Sequence, residues 1–216
     1  MELNLIEKLT LLALDDEKGT LVADSTIFSY AIGASVLLEL LLNNKIDISK
    51  SKIHVVDKKK TDNSILDNYL NILIDSTKEK SLSNWIEIFG NKAKQIKLDT
   101  IDNLIKANIL TKKEQRFLWV FNTHKYPTQN AKPENELRKR INEIILNDKK
   151  PTLNEVLLIS LIDSCGINKE VFGDKYSKEA GKKIKLITNN NTVAKAIHKS
   201  IEEVYNTLIA VITVIT

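Results

Sequence analysis

Ile27-Phe28-Ser29-Tyr30-Ala31-Ile32-Gly33-Ala34-Ser35-Val36-Leu37-Leu38-Glu39-Leu40-Leu41-Leu42 decides the fold. Wound at 3.6 residues per turn, this run is apolar on nearly every side, so a helix made of it must be surrounded by other helices. It covers only 16 residues and carries Glu39, short of the roughly 20 apolar residues that cross a bilayer. The run therefore reads as the central helix of a folded core, and the chain on either side of it as the elements that wrap it.

Upstream, Leu5, Leu9 and Leu12 recur at helical spacing and stop at the acidic turn Asp15-Asp16-Glu17-Lys18-Gly19. Nothing there has the basic n-region or uninterrupted apolar h-region of a signal peptide. Downstream, Asn43-Asn44-Lys45 ends the central helix, and Ile46-Asp47-Ile48 with Ile53-His54-Val55-Val56 alternates like a small hairpin. Helices are expected at about 63–75, 83–90 and 93–108, whereas Gln115–Phe121 is more strand-like. His124–Pro133 holds two of the three prolines and reads as a loop.

Leu137, Ile141, Ile144 and Ile145 then define a helix with a basic outer face. Thr152-Leu153-Asn154-Glu155 is a capping box that opens a helix, and Gly166 stands where that helix should end. Thr192 is the expected cap of a last long helix with Ile197, Ile201, Val204, Leu208, Val211 and Ile215 on one stripe. Six glycines and three prolines in 216 residues leave too few turn residues for an all-β chain. The reading is mainly α: a single-domain bundle, residues 1–216, of apolar helices surrounded by amphipathic helices and short β-hairpins.

The formal net charge is +4, from 32 basic and 28 acidic residues. It is unevenly spread, because residues 92–150 carry 14 basic groups against 7 acidic ones, a local +7. An anionic partner, such as a lipid headgroup or nucleic acid, is the functional reading of that segment, and a solvated charged surface the plain one. Phe117–Phe121 is open to three readings: a buried strand, a membrane-inserting arm or an arm that builds a homo-oligomer.

Signs of catalysis are lacking. The chain has no GxSxG, P-loop, GxGxxG or HExxH, so it is not expected to be an enzyme, nor to hold a metal or cofactor. His54, His124 and His198 stand apart from residues at ligand spacing, and Asp15-Asp16-Glu17 reads as a solvated turn. Cys165 is the only cysteine, which fits a reducing cytoplasm, and it sits in an apolar run as a small buried hydrophobe.

In order, these features resemble the Golgi phosphoprotein 3 family, peripheral membrane proteins that recognise phosphatidylinositol 4-phosphate. Leu9-Thr10-Leu11-Leu12-Ala13-Leu14 with the acidic turn is similar to the family's opening helix, and Leu37-Leu38-Glu39-Leu40 with Asn44-Lys45-Ile46 to its central helix and first strand. Trp85-Ile86, Leu104-Ile105, Ile109-Leu110-Thr111, Phe117-Leu118, Thr123-His124 and the helix Leu157–Ile162 continue the likeness.

The resemblance implies one mostly helical domain, no catalysis, and a location that is cytoplasmic and peripherally membrane-associated. It implies anionic phospholipid headgroups as partners, and cytoplasmic tails of membrane proteins as another class. The family's headgroup pocket uses a tryptophan and an arginine whose positions are Asp24 and Gly33 in this chain. Its Arg-x-x-Arg falls on Lys94-Gln95-Ile96-Lys97, which keeps the charge and loses the planar bidentate fork. Lys94 and Lys97 are thus the candidate headgroup residues. An adaptor that has kept the fold and lost the lipid pocket is the rival reading, and a winged-helix-like nucleic-acid binder a third.

Overall fold

The computed structural model describes residues 2–117, 121–173 and 178–215. Its mainly α architecture agrees with the sequence, and the central run is helix α2, Ser25–Leu42, entered after α1, Leu5–Leu12. Asn4 opens α1 with a capping box, its side chain receiving the Glu7 amide while the Glu7 carboxylate receives the Asn4 amide.

Helix α2 is followed by the antiparallel hairpin β1 (Ile46–Ser49) and β2 (Lys52–Val55), with Ile46 opposite Val55. Lys50 and Ser51 both take positive φ, 49° and 57°, the twist that a two-residue hairpin turn demands, without the usual glycine. Three helices come next: α3 (Ser64–Ile74), α4 (Leu82–Gly90) and α5 (Ala93–Lys106). By length and composition α2 could cross a membrane, yet α1, α3, α4, α5, α7 (Leu153–Ser164) and α10 (Thr192–Ile215) pack around it. From Ala31 to Leu40 every residue is buried.

A second antiparallel hairpin, β3 (Lys113–Phe117) and β4 (Phe121–Lys125), sets Lys113 opposite Lys125 and Phe117 opposite Phe121. The middle of the Phe117–Phe121 run, residues 118–120, lies outside the described residues. Strand β4 takes in His124 and Lys125, so the proline loop begins at Tyr126, two residues later than the sequence suggested. That loop folds onto the acidic turn: the Tyr126 amide donates to the Gly19 carbonyl at 3.1 Å. Gly19 has φ +61°, and a Cβ on it would lie 2.3 Å from the Tyr126 and Pro127 backbone, so only glycine fits there.

Helix α6 (Lys132–Leu146) leads to α7, whose Thr152–Glu155 capping box is present and whose C-terminus is closed by Gly166 at φ +68°. Like α2, α7 is apolar on most sides and buries Val156 to Ile162 without interruption. Two elements were not legible in the sequence, α8 (Asn168–Phe172) and α9 (Lys178–Asn190). The lysine-rich α9 buries only Ala180, Ile184 and Thr188, a stripe too narrow to read as a core face. The cap of α10 is also corrected: the Asn191 side chain, not Thr192, receives the Ala194 amide at 2.9 Å.

One core joins helices α1 through α10 and β1, α5 entering it through Ala93 and Ile96, and a smaller cluster of Leu3, Leu11, Leu14, Ile101, Leu104, Ile109 and Leu110 sits beneath the rest of α5. Buried side chains such as Phe89 and Leu37, both fully inaccessible, each contribute about 1.5–3 kcal/mol by leaving water.

Candidate functional site

Helix α5 holds the two lysines singled out by sequence. Its buried residues Ala93, Ile96, Thr100, Ile101 and Leu104 fix the inward face, which leaves Lys94 exposed and Lys97 half-buried at its rim. Spaced i, i+3, the two lie one turn apart on neighbouring rows of the helix surface. No side chain caps this helix, Lys92 occupies the N-cap position, and its first turn contains no acid. The positive end of the helix dipole and three lysines thus coincide, and among the described residues none of Lys92, Lys94 and Lys97 forms an ion pair.

Elsewhere the basic segment is less uniform than its composition suggests. Arg138 bonds the buried Glu134 through Nε at 2.7 Å and reaches the Glu170 carbonyl at 2.7 Å. Arg140 grips Glu155 with two bonds, at 2.6 and 3.1 Å. Lys149 pairs with Glu143 at 2.8 Å. These cations tie α6 to α7, to α8 and to its own C-terminal turn, so they are structural. The exposed basic residues of this segment that form no ion pair among the described residues are Lys92, Lys94, Lys106, Lys112, Lys113, Lys139 and Lys150, and only Lys92 and Lys94 stand at a helix N-terminus.

Asp24 and Gly33, the positions that the resemblance matches to a pocket tryptophan and arginine, both have structural roles. Asp24 caps α2, its Oδ1 accepting from the Thr26 and Ile27 amides at 2.9 and 3.0 Å. Gly33 is buried where α2 crosses α4: a Cβ there would stand 2.6 Å from the Gly90 nitrogen and 2.8 Å from the Ile86 oxygen. Gly90 in turn accommodates the Tyr30 ring, which a Cβ would meet at 2.6 Å. No arginine fits at Gly33, because helix backbone fills the space.

The other candidates are accounted for locally. Asp15 Oδ1 accepts from the Glu17 and Lys18 amides, and Asp16 receives the Thr128 hydroxyl at 3.0 Å, so the acidic turn is a fastening for the proline loop. His198 meets the Ser164 hydroxyl at 2.8 Å and stands 3.4 Å from Glu202, linking α7 to α10. His54 is exposed on β2, and the side chain of His124 lies outside the described residues. Cys165 is buried, and burial pushes its thiol far above the ordinary range. Among the described residues no three His, Cys, Asp or Glu side chains gather as metal ligands.

One grouping was missed by sequence. Tyr30 of α2, Asn84 and Glu87 of α4, and Glu203, Val204 and Leu208 of α10 line a cavity of about 330 Å³. They come from three distant parts of the chain, so no local pattern announces them.

Comparison with known proteins bears on all of this. The family model described as Golgi phosphoprotein 3 (GPP34) matches residues 5–204. Vacuolar protein sorting-associated protein 74 of Eremothecium gossypii is 22% identical over 165 residues, which cover 67% of this chain and 49% of that protein. The chain thus spans about half the length of the curated relative it matches.

Proposed function

Because the chain belongs to the Golgi phosphoprotein 3 family, we propose that it is a non-enzymatic peripheral membrane protein that docks from the cytoplasmic side on anionic phospholipid headgroups. In this reading residues 1–216 act as one domain, and Lys94 and Lys97 are the headgroup contacts. The observation that carries it is the start of α5, where an uncapped helix N-terminus coincides with Lys92, Lys94 and Lys97, all without ion pairs among the described residues. Anionic oxygens are favoured at such an end by the helix dipole and by the free charge, each basic residue near an anionic surface contributing about 1 kcal/mol.

With lysines in place of guanidinium forks, and with Asp24 and Gly33 engaged in capping and packing, the attraction is to negative headgroups in general, phosphatidylinositol 4-phosphate among them. Co-sedimentation tests this with neutral vesicles and with vesicles containing phosphatidylserine, phosphatidylglycerol or phosphatidylinositol 4-phosphate. Pelleting is expected with every anionic composition, falling at physiological salt, and weakening about thirtyfold or more in the Lys94→Glu/Lys97→Glu variant. Unchanged pelleting of that variant overturns the site assignment.

The occupied pocket positions favour a second reading: an adaptor that has kept the fold and recognises cytoplasmic tails of membrane proteins. No pelleting on any anionic vesicle, together with recovery of a specific protein partner, selects it.

A further inference from the structure

The cavity between α2, α4 and α10 is walled by two carboxylates and an apolar strip. Glu87 and Glu203 are both exposed, and neither forms an ion pair with any described residue. Tyr30 also lines it: the residue is 6% exposed, and its hydroxyl has no hydrogen-bond partner among the described residues. The ring is packed away and the hydroxyl end is the part left facing the cavity, where its oxygen can accept from a bound donor. Burial and the neighbouring Glu87 charge both keep the hydroxyl protonated. Val204 and Leu208 supply the apolar wall.

We propose that this cavity binds an alkylguanidinium: the guanidinium group lies between Glu87 and Glu203, within reach of the Tyr30 oxygen, and its aliphatic stem rests on Val204 and Leu208. The chemistry follows from the lining. Two acceptor-only groups of like sign call for a cation with several donors, and a planar guanidinium can serve both carboxylates and the phenol oxygen at once. An apolar wall beside them suits the methylene stem that such a cation carries. A volume of about 330 Å³ is at the lower end of small-molecule sites and matches one side chain better than a larger ligand. The cation has two sources, a free amine such as agmatine or an arginine side chain of a peptide. The site is independent of the basic start of α5, so failure of either reading leaves the other standing.

The test is titration of the full chain with agmatine and with a short peptide carrying one arginine, followed by amide shifts in nuclear magnetic resonance spectra. Saturable shifts are expected on α4 and α10 around Glu87 and Glu203, with affinity weakened about tenfold or more in Glu87→Gln and in Glu203→Gln. Both glutamates are exposed, so these variants leave the core intact, and Tyr30→Phe should weaken binding severalfold. Binding of agmatine alone assigns the cavity to a free amine, and tighter binding of the peptide assigns it to a protein partner. Absence of saturable shifts with both probes, or affinity unchanged in the Glu87→Gln/Glu203→Gln double variant, overturns the proposal.

Discussion

Gly33 of α2 and Gly90 of α4 meet so closely that a Cβ on Gly33 would lie 2.6 Å from the Gly90 amide nitrogen. This contact brings the two helices together without side chains between them. It also places the start of α5, three residues beyond Gly90, beside the middle of α2.

Gly33→Ala weighs two effects of opposite sign. An alanine within a helix is favoured over glycine by about 1 kcal/mol. Against that, the new methyl meets backbone at 2.6 and 2.8 Å, and such overpacking costs about 1–3 kcal/mol or more because helix backbone cannot rotate aside. The clash wins, so the variant should melt several degrees lower. Gly33→Arg, which puts an arginine where the resemblance would place one, should fail to fold and gain no lipid binding. An unchanged melting temperature for Gly33→Ala would show that α4 yields at no cost.

A second joint ties the first helix to the central one. The buried Glu39 carboxylate accepts the Leu5 amide at 2.5 Å, and Leu5 is fully inaccessible. Burial raises the pKa of Glu39, while the Leu5 bond and then the Lys8 charge pull it back. Glu39→Ala leaves the Leu5 donor unmet and should cost about 1–3 kcal/mol, whereas Glu39→Gln keeps an acceptor and should cost less. Denaturant titration of the two variants checks the order, and equal losses would contradict the bond's role.

How far the sequence could be read depends on how far apart the deciding residues lie. The all-round apolar runs of α2 and α7 are local patterns, and so are the Thr152–Glu155 box and the Gly166 stop; each announced its element. The α9 helix did not, since it is held by a stripe of only three buried residues. Lys94 and Lys97 were legible through resemblance alone. Composition gave the +7 of residues 92–150, but it could not separate Arg138 and Arg140, held by Glu134 and Glu155, from lysines that stay free. Tyr30, Glu87 and Glu203 meet only through tertiary packing.

Glu134 sets a pH dependence whose sign can be worked out. Its carboxyl is 2% exposed, and burial pushes it up to about 7; the Arg138 charge opposes the shift and Asp16 adds to it. A carboxyl raised from its usual value near 4.5 binds its proton more tightly in the folded chain. Its stabilisation is therefore fully present below about pH 4.5 and is lost as pH rises through about 7. The melting temperature should fall between pH 5 and 8, and Glu134→Gln should flatten that slope and be the more stable protein at pH 8. Melting curves of both proteins across this range decide it, and parallel slopes would remove Glu134 as the cause.

Arg140 separates structural cations from the proposed lipid contacts. Its two bonds to Glu155 join α6 to the first turn of α7, where Glu155 also receives the Thr152 amide at 2.7 Å. The pair is partly exposed, with side chains 35% and 21% accessible, so solvent screening limits Arg140→Ala to a loss of about 1 kcal/mol. If membrane attraction followed the total charge of residues 92–150, this variant would lose vesicle binding as fully as Lys94→Ala. If the free charge at the start of α5 governs it, Arg140→Ala should melt lower yet pelleting should stay near wild type, while Lys94→Ala should retain its stability and pellet less. Measuring both properties on both variants distinguishes a diffuse basic segment from a localised site.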